Sequence, residues 1–145
     1  MYRIPRYKIQ LVRDGSQGSN IKKLNNPEDA VPIIEAYLEG ADREHFIALL
    51  LDTKNQLIGI NTVTTGTLNS AIIHPREVFK PAVLSNAAAI LIAHNHPSGD
   101  PNPSREDIEL TNRLIKAGEI MGIAILDHIV IGEHEAFSFK GHGLL

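Results

Sequence analysis

Two periods of apolar and polar positions run along this chain, and each change of period marks an element. Residues 6–13 (RYKIQLVR) alternate as a strand does, and the polar, glycine-containing stretch from Asp14 to Asn20 reads as a loop. Asn26-Pro27-Glu28-Asp29 combines an N-cap residue, a proline at the first helical position and an acidic first turn. The helix it starts is expected to run to about Glu39 and stop at Gly40, burying Val31, Ile34 and Leu38, with Pro32 early enough to be tolerated. His45–Leu51 and Leu57–Thr65 are apolar, β-branched runs joined by the polar connection Asp52-Thr53-Lys54-Asn55-Gln56, a hairpin pattern. His74-Pro75 opens a second helix with Val78, Phe79, Ala82 and Val83 at helical spacing, which Pro81 should kink or keep short. Ala88–Ala93 is a continuous apolar run of strand length, the pattern of a strand buried on both faces. Ser104 caps a third helix, with Ile108, Thr111, Leu114, Ile115, Gly118 and Met121 along one face and Gly122 at its end. Ile123–Ile131 predicts a last long strand and Phe137-Ser138-Phe139 a short one.

Strand, helix, hairpin, helix, strand, helix, strand is the order of a mixed sheet with helices packed on its faces. The 145 residues are enough for one domain with a real core and too few for two. Residues 1–25 read as a strand and loop extension of that domain. A formal charge of −3 gives no reason to expect a polyanion-binding surface, and the basic residues Arg3, Arg6, Lys8, Arg13, Lys22 and Lys23 are dispersed. Nucleic acid is therefore not indicated by charge. The absence of cysteine removes disulfides and thiolate zinc sites. No apolar segment follows the N-terminal charges, and the longest apolar run, Ala87–Ala93, is far too short to span a bilayer. A cytoplasmic protein without a membrane association is the expectation.

Chemistry concentrates where the buried strand ends. His94 and His96 stand one residue apart, so their imidazoles project from one face of a strand. Asp107, on the first turn of the next helix, can swing back over the strand end as a third ligand. Three ligands of N and O type leave a fourth tetrahedral position for water, which is the catalytic rather than the structural zinc arrangement. Ser104 completes the pattern. His, Ser and Asp each occur seven times in the chain, so this four-residue spacing arises by chance on the order of one time in a thousand. Asn95 lies between the two histidines and points to the opposite face, so it is not expected to be a ligand.

His-x-His, seven residues, Ser, two residues, Asp resembles the pattern of JAMM (JAB/MPN) metalloproteases. The surrounding text, His74-Pro75-Arg76-Glu77-Val78, Ala93-His94-Asn95-His96-Pro97-Ser98-Gly99-Asp100-Pro101, Pro103-Ser104-x-x-Asp107 and Leu126-Asp127-His128, is similar to the bacterial RadC family. The resemblance runs from about residue 25 to the C-terminus. It is to the short, JAMM-only members that lack the longer N-terminal helical region. It implies a three-layer α-β-α fold with a mixed β-sheet, the cytidine-deaminase-like JAB/MPN architecture. It also implies one Zn²⁺ per chain on His94, His96 and Asp107. The general base of that family is a glutamate opening the strand that precedes the motif, and Glu44, at the head of EHFIALLLD, matches it. Glu35 and Glu39, in the predicted first helix, fit less well.

Ser104 carries two readings. Ser-x-x-Asp is close to a capping box, which alone accounts for a serine there, while the resemblance implies a hydroxyl that supports the tetrahedral intermediate. His74, His128 and Asp127 match family positions and are expected to serve as hydrogen-bonding or outer-shell residues. Thr111, one turn after Asp107, is expected to bond nearby or to pack. His45, His134 and His142 carry no signal. The leading expectation is a zinc-dependent hydrolase cleaving a peptide or isopeptide bond in a peptide or protein substrate. The alternatives are a metal-dependent phosphodiesterase or nuclease in DNA metabolism, and a non-catalytic MPN interaction scaffold.

Overall fold

The computed structural model describes residues 1–66 and 73–145. β1 (His45–Leu51) and β2 (Leu57–Thr65) form an antiparallel hairpin. β3 (Ala89–Asn95) pairs antiparallel with the other side of β1 and parallel with β4 (Ala124–Ile131). β5 (Ala136–Ser138) folds back against β4, giving the order β2-β1-β3-β4-β5. Parallel neighbours need a crossover, and α3 (Arg105–Met121) supplies it between β3 and β4. α1 (Val31–Tyr37) is entered through a 3₁₀ turn at Pro27–Ala30, and α2 (Pro75–Leu84) precedes β3. α1 stops two residues before the expected Glu39.

Burial assigns the helices to the two faces. Ile47, Leu49 and Leu51 of β1, with Ala89, Leu91 and Ala93 of β3, pack against Ile33 and Ile34 of α1. Phe46, Ala48 and Leu50 of β1, with Ile90 and Ile92 of β3, pack against Val78, Phe79 and Ala82 of α2 and Leu110 and Leu114 of α3. The result is a three-layer α-β-α arrangement around a mixed sheet. β1 and β3 are covered on both faces, and this is why they read as unbroken apolar runs rather than as alternation. Each Leu or Ile buried there contributes about 1.5–3 kcal/mol. Pro81 lies inside α2, which ends within one turn of it. Val83 and Met121, expected on buried faces, fall in the last turns of their helices and are exposed.

α3 is bounded as its sequence dictates. Ser104 and Asp107 form a reciprocal capping box at its start, and Gly122 adopts the left-handed conformation (φ +70°) at its end. Gly118 sits where α3 meets β4, and a Cβ there would lie 2.5 Å from the carbonyl oxygen of Ile123 and 3.4 Å from Phe79. Alanine is the better helix former by about 1 kcal/mol, but the clash is with backbone and cannot be relieved by a rotamer change. Gly118→Ala is therefore expected to lower unfolding free energy by about 1–3 kcal/mol, measured by chemical denaturation.

The expected N-terminal strand does not form. Residues 6–13 carry no ladder, and Tyr7 and Ile9 are 85% and 77% exposed. Alternation makes a strand only when a neighbouring edge accepts its hydrogen bonds. The rim of β2 is met instead by Lys22–Leu24, through Leu57 N to Lys22 O (2.7 Å) and Leu24 N to Asn55 O (2.9 Å). Ile21 packs partly buried against the core, and Leu24 is the first residue fully inside it. Among the described residues no helix is long and apolar enough to cross a membrane.

Candidate metal centre

β3 delivers its last residues to the end of the sheet, and the two-residue period decides where they point. His94 continues the face of Ile90 and Ile92, so it turns toward α3 and stacks against Phe46 at 6.0 Å. His96 follows the strand and is held by its backbone N–H to Ile131 O at 2.9 Å. The capping box places Asp107 on the same side, because the carboxylate that accepts Ser104 N–H (2.8 Å) at Oδ2 faces back over the strand end. His94, His96 and Asp107 thus converge. The two Nε2 atoms are 3.0 Å apart, and Asp107 Oδ2 lies 3.4 Å from His94 Nε2 and 3.3 Å from His96 Nε2. Tetrahedral zinc with bonds of about 2.0–2.1 Å would separate its ligands by about 3.3–3.4 Å, so the three donors fit such an ion with little movement. His94 is buried and the other two are half-buried, so the group opens to solvent on one side.

The surrounding hydrogen bonds settle which ring nitrogens carry protons. Thr111 Oγ1 donates its single proton to Asp107 O at 2.7 Å, so it can only accept from His128 Nδ1 at 2.6 Å. Complete burial, reinforced by His94, holds His128 well below the usual imidazole range and keeps it neutral. Its Nε2 is then an acceptor, and the 2.7 Å contact to His94 Nδ1 requires the proton on His94. His94 Nε2 is left as a lone pair aimed at His96 and Asp107. His96 Nδ1–H donates to Asp100 O at 2.8 Å, which frees its Nε2 in the same way. Two lone pairs and a carboxylate now face one another at 3.0–3.4 Å, an arrangement that calls for a cation between them.

The Asp107 carboxylate raises His96 above its ordinary range against the opposing effect of burial, with the Glu44 charge adding to the rise. Burial pushes Asp107 upward, but the contacts with His94 and His96 outweigh it and hold the carboxyl well below its ordinary range.

Thr111→Val tests the proton relay directly. It removes the acceptor from His128 Nδ1–H while conserving shape, and metal affinity is expected to fall by about 10–100-fold. Competition with a chromophoric chelator measures this.

The loop between β3 and α3 is fixed rather than free. Gly99 N–H donates to His96 O and Glu133 N–H to Gly99 O, both at 2.9 Å, and Gly99 takes φ +89°. A Cβ on Gly132 would meet Gly99 O at 2.5 Å and Pro101 N at 3.0 Å, so that glycine is what lets the loop lie against the end of β4. The loop in turn sets the Asp100 carbonyl that orients His96.

The other expected residues fall as follows. Glu44 immediately precedes β1 and lines a cleft of about 500 Å³ together with Arg43, Gly66, His96, Pro97 and Ser98. Glu35 and Glu39 are exposed, on α1 and just beyond it. Ser104 is the N-cap of α3, its Oγ accepting Asp107 N–H at 3.0 Å, and its own hydroxyl proton is not needed for that bond. Asn95 turns to the face opposite the histidines, bonding the backbone at Arg43 and His45. Asp127 is fully buried, accepting His128 N–H at 2.7 Å, Lys140 N–H at 2.9 Å and the Ser138 hydroxyl, while burial raises its carboxyl. It anchors the end of the chain so that Phe139 stacks on His128 at 4.5 Å. His74 is exposed and starts α2 through its carbonyl.

A family model for the RadC-like JAB domain matches residues 24–144, bounds that take in every helix and strand of the fold. The chain belongs to the RadC-like JAB family. Proteins named UPF0758 are similar to it: one from Desulforamulus reducens is 56% identical over 119 residues, covering 82% of this chain and 52% of the relative. One from Desulforudis audaxviator is 52% identical over 121 residues (83% and 53%), and one from Caldanaerobacter subterraneus 46% over 128 (88% and 54%). The chain spans about half the length of these curated relatives. The RadC-like JAB match contains the whole convergence of His94, His96 and Asp107, and it begins where Leu24 enters the core. The exposed residues 6–13 lie outside it.

Proposed function

We propose that the chain is a zinc-dependent hydrolase that cleaves a peptide or isopeptide bond. Membership of the RadC-like JAB family supports a metal-dependent hydrolase. The observation that carries the reading further is the set of imidazole tautomers: both histidines present bare Nε2 lone pairs to one carboxylate oxygen, on the open side of a buried relay. Hard and borderline N and O donors of this kind suit zinc. Bound there by His94, His96 and Asp107, the ion would supply Lewis acidity, acidifying a water and polarising an amide carbonyl.

The chain's own residues do the rest. Glu44, in the cleft beside His96, takes the proton of the attacking water and passes it to the leaving amine nitrogen. The Ser104 hydroxyl, whose proton its capping bond does not use, donates to the oxyanion. His128 and Thr111 fix the His94 ring, and Asp100 fixes that of His96. A single triad of candidate ligands among the described residues favours this chemistry over phosphodiester cleavage, which commonly needs more carboxylates for two ions about 3.5–4 Å apart.

The test is incubation of the zinc-loaded chain with linear peptides and with lysine-linked isopeptides, beside Glu44→Gln. New amine termini in the wild type alone support the reading. Cleavage of a labelled oligonucleotide, lost in Glu44→Gln, would replace it with the nuclease reading.

A further inference from the structure

We propose that Asn95 is a positioning residue for Glu44, an inference that rests on the reading of Glu44 as general base. The β1–β3 ladder runs in register from Leu51↔Ala89 to Phe46↔His94 and stops there. Continuing that register would set His45 opposite Asn95 and Glu44 opposite His96. His96 gives its backbone N–H to Ile131 on the β4 side and Glu44 is held from the β2 side, as strand alternation dictates, so the next hydrogen-bonded pair of the β1–β3 ladder would be His45 with Asn95. The Asn95 side chain takes over. Its Oδ1 accepts His45 N–H at 2.7 Å and its Nδ2 donates to Arg43 O at 3.0 Å, and the residue is 9% exposed.

These two bonds grip the peptide groups on either side of Glu44. A third, from Gly66 N–H to Glu44 O at 2.8 Å, holds the carbonyl of Glu44 itself. The segment that carries the carboxylate is therefore fixed at three consecutive residues, two of them by one side chain that belongs to the strand of the metal ligands. An amide presents one acceptor and one donor in a plane, as a peptide unit does. It can thus stand in for a missing rung while keeping the two backbones apart. The separation it maintains is the cleft into which Glu44 and His96 both open. Aspartate would keep the bond to His45 N–H and lose the donor to Arg43 O; serine would not reach both. The residue between the two histidines therefore fixes the base relative to them, because His94, Asn95 and His96 are consecutive at the end of β3 and Asn95 bonds the backbone on both sides of Glu44.

The test needs no substrate. Acetohydroxamic acid releases a proton when it chelates zinc, and a neighbouring base that takes the proton strengthens the complex. Zinc-loaded wild type, Glu44→Gln, Asn95→Ala, Asn95→Asp and the double variant Asn95→Ala/Glu44→Gln are titrated with it, and zinc content is measured in each. Glu44→Gln and Asn95→Ala are expected to keep the zinc and each to weaken the probe by about 10-fold or more, with Asn95→Asp between wild type and Asn95→Ala. In the Glu44→Gln background Asn95→Ala is expected to add nothing, and amide exchange at His45 is expected to quicken in Asn95→Ala. Asn95→Ala binding the probe like wild type, or weakening it equally without Glu44, overturns the proposal and leaves the proposed function standing. A wild type that holds no zinc, or a Glu44→Gln variant that binds the probe normally, overturns the proposed function and this inference with it.

Discussion

Purified wild-type chain reconstituted with zinc is expected to hold about one ion per chain, and His94→Ala, His96→Ala and Asp107→Asn to hold none after dialysis against a weak chelator. The size of the effect follows from the ligand count. Three protein donors leave no spare, and even the outer partners of such ligands are worth about 10–100-fold in affinity, so removing a ligand should cost more than that. The choice of Asp107→Asn matters, since the Oδ2 that faces the histidines also accepts Ser104 N–H at the start of α3. Asparagine keeps an acceptor for Ser104 N–H, whereas alanine would also remove that half of the capping box and leave only its own backbone N–H bonded to Ser104 Oγ. His94→Ala is the harshest of the three for the fold, because it also strands the neutral, fully buried His128 without its donor. Elemental analysis beside a thermal melt separates the two losses. Unchanged zinc in all three variants would place the metal elsewhere and remove the basis of the hydrolase reading.

Glu44→Gln is expected to keep its zinc and lose turnover by about 10²–10⁴-fold, the range that positioned proton transfer contributes. Glutamine conserves the length and the bonding capacity of the side chain but cannot take a proton. Glu44 is not among the three converging ligands, so the substitution should leave metal content at the wild-type value. Steady-state rates on a cleaved peptide or isopeptide, with zinc measured in the same preparation, check both halves. A variant with full zinc and full turnover would remove Glu44 from the reaction and direct attention to another proton acceptor in the cleft.

Local patterns were sufficient for most of the elements. β1 and β2 fall on the residues that their β-branched runs predict, and α3 begins at its capping box and ends at Gly122. These are signals that act within a few residues, through side-chain size, backbone freedom and nearby hydrogen bonds. The same kind of signal misled at residues 6–13, where the alternation is real but no edge accepts it. A strand is a property of two chains of residues, and its partner is not written beside it.

The metal centre divides along the same line. The spacing of His94, His96, Ser104 and Asp107 is legible because one strand end, one rigid loop and one helix start lie consecutively in the chain. The fold had to decide everything that comes from far away. His128 reaches His94 across 34 residues and Thr111 passes the proton count back to Asp107; Asn95 reaches Arg43 and His45 across some fifty. The family resemblance marks His128 as an outer-shell residue and the helical turn after Asp107 marks Thr111, but no local pattern names their partners, and an asparagine in a strand has ordinary structural uses. By itself the sequence determined the helices, the buried strands and which three side chains converge as candidate ligands, because those depend on residue type and near spacing. Only the tertiary structure decided the tautomers, the seat of Glu44 and the failure of the first strand, because each depends on which distant groups fill the remaining hydrogen bonds.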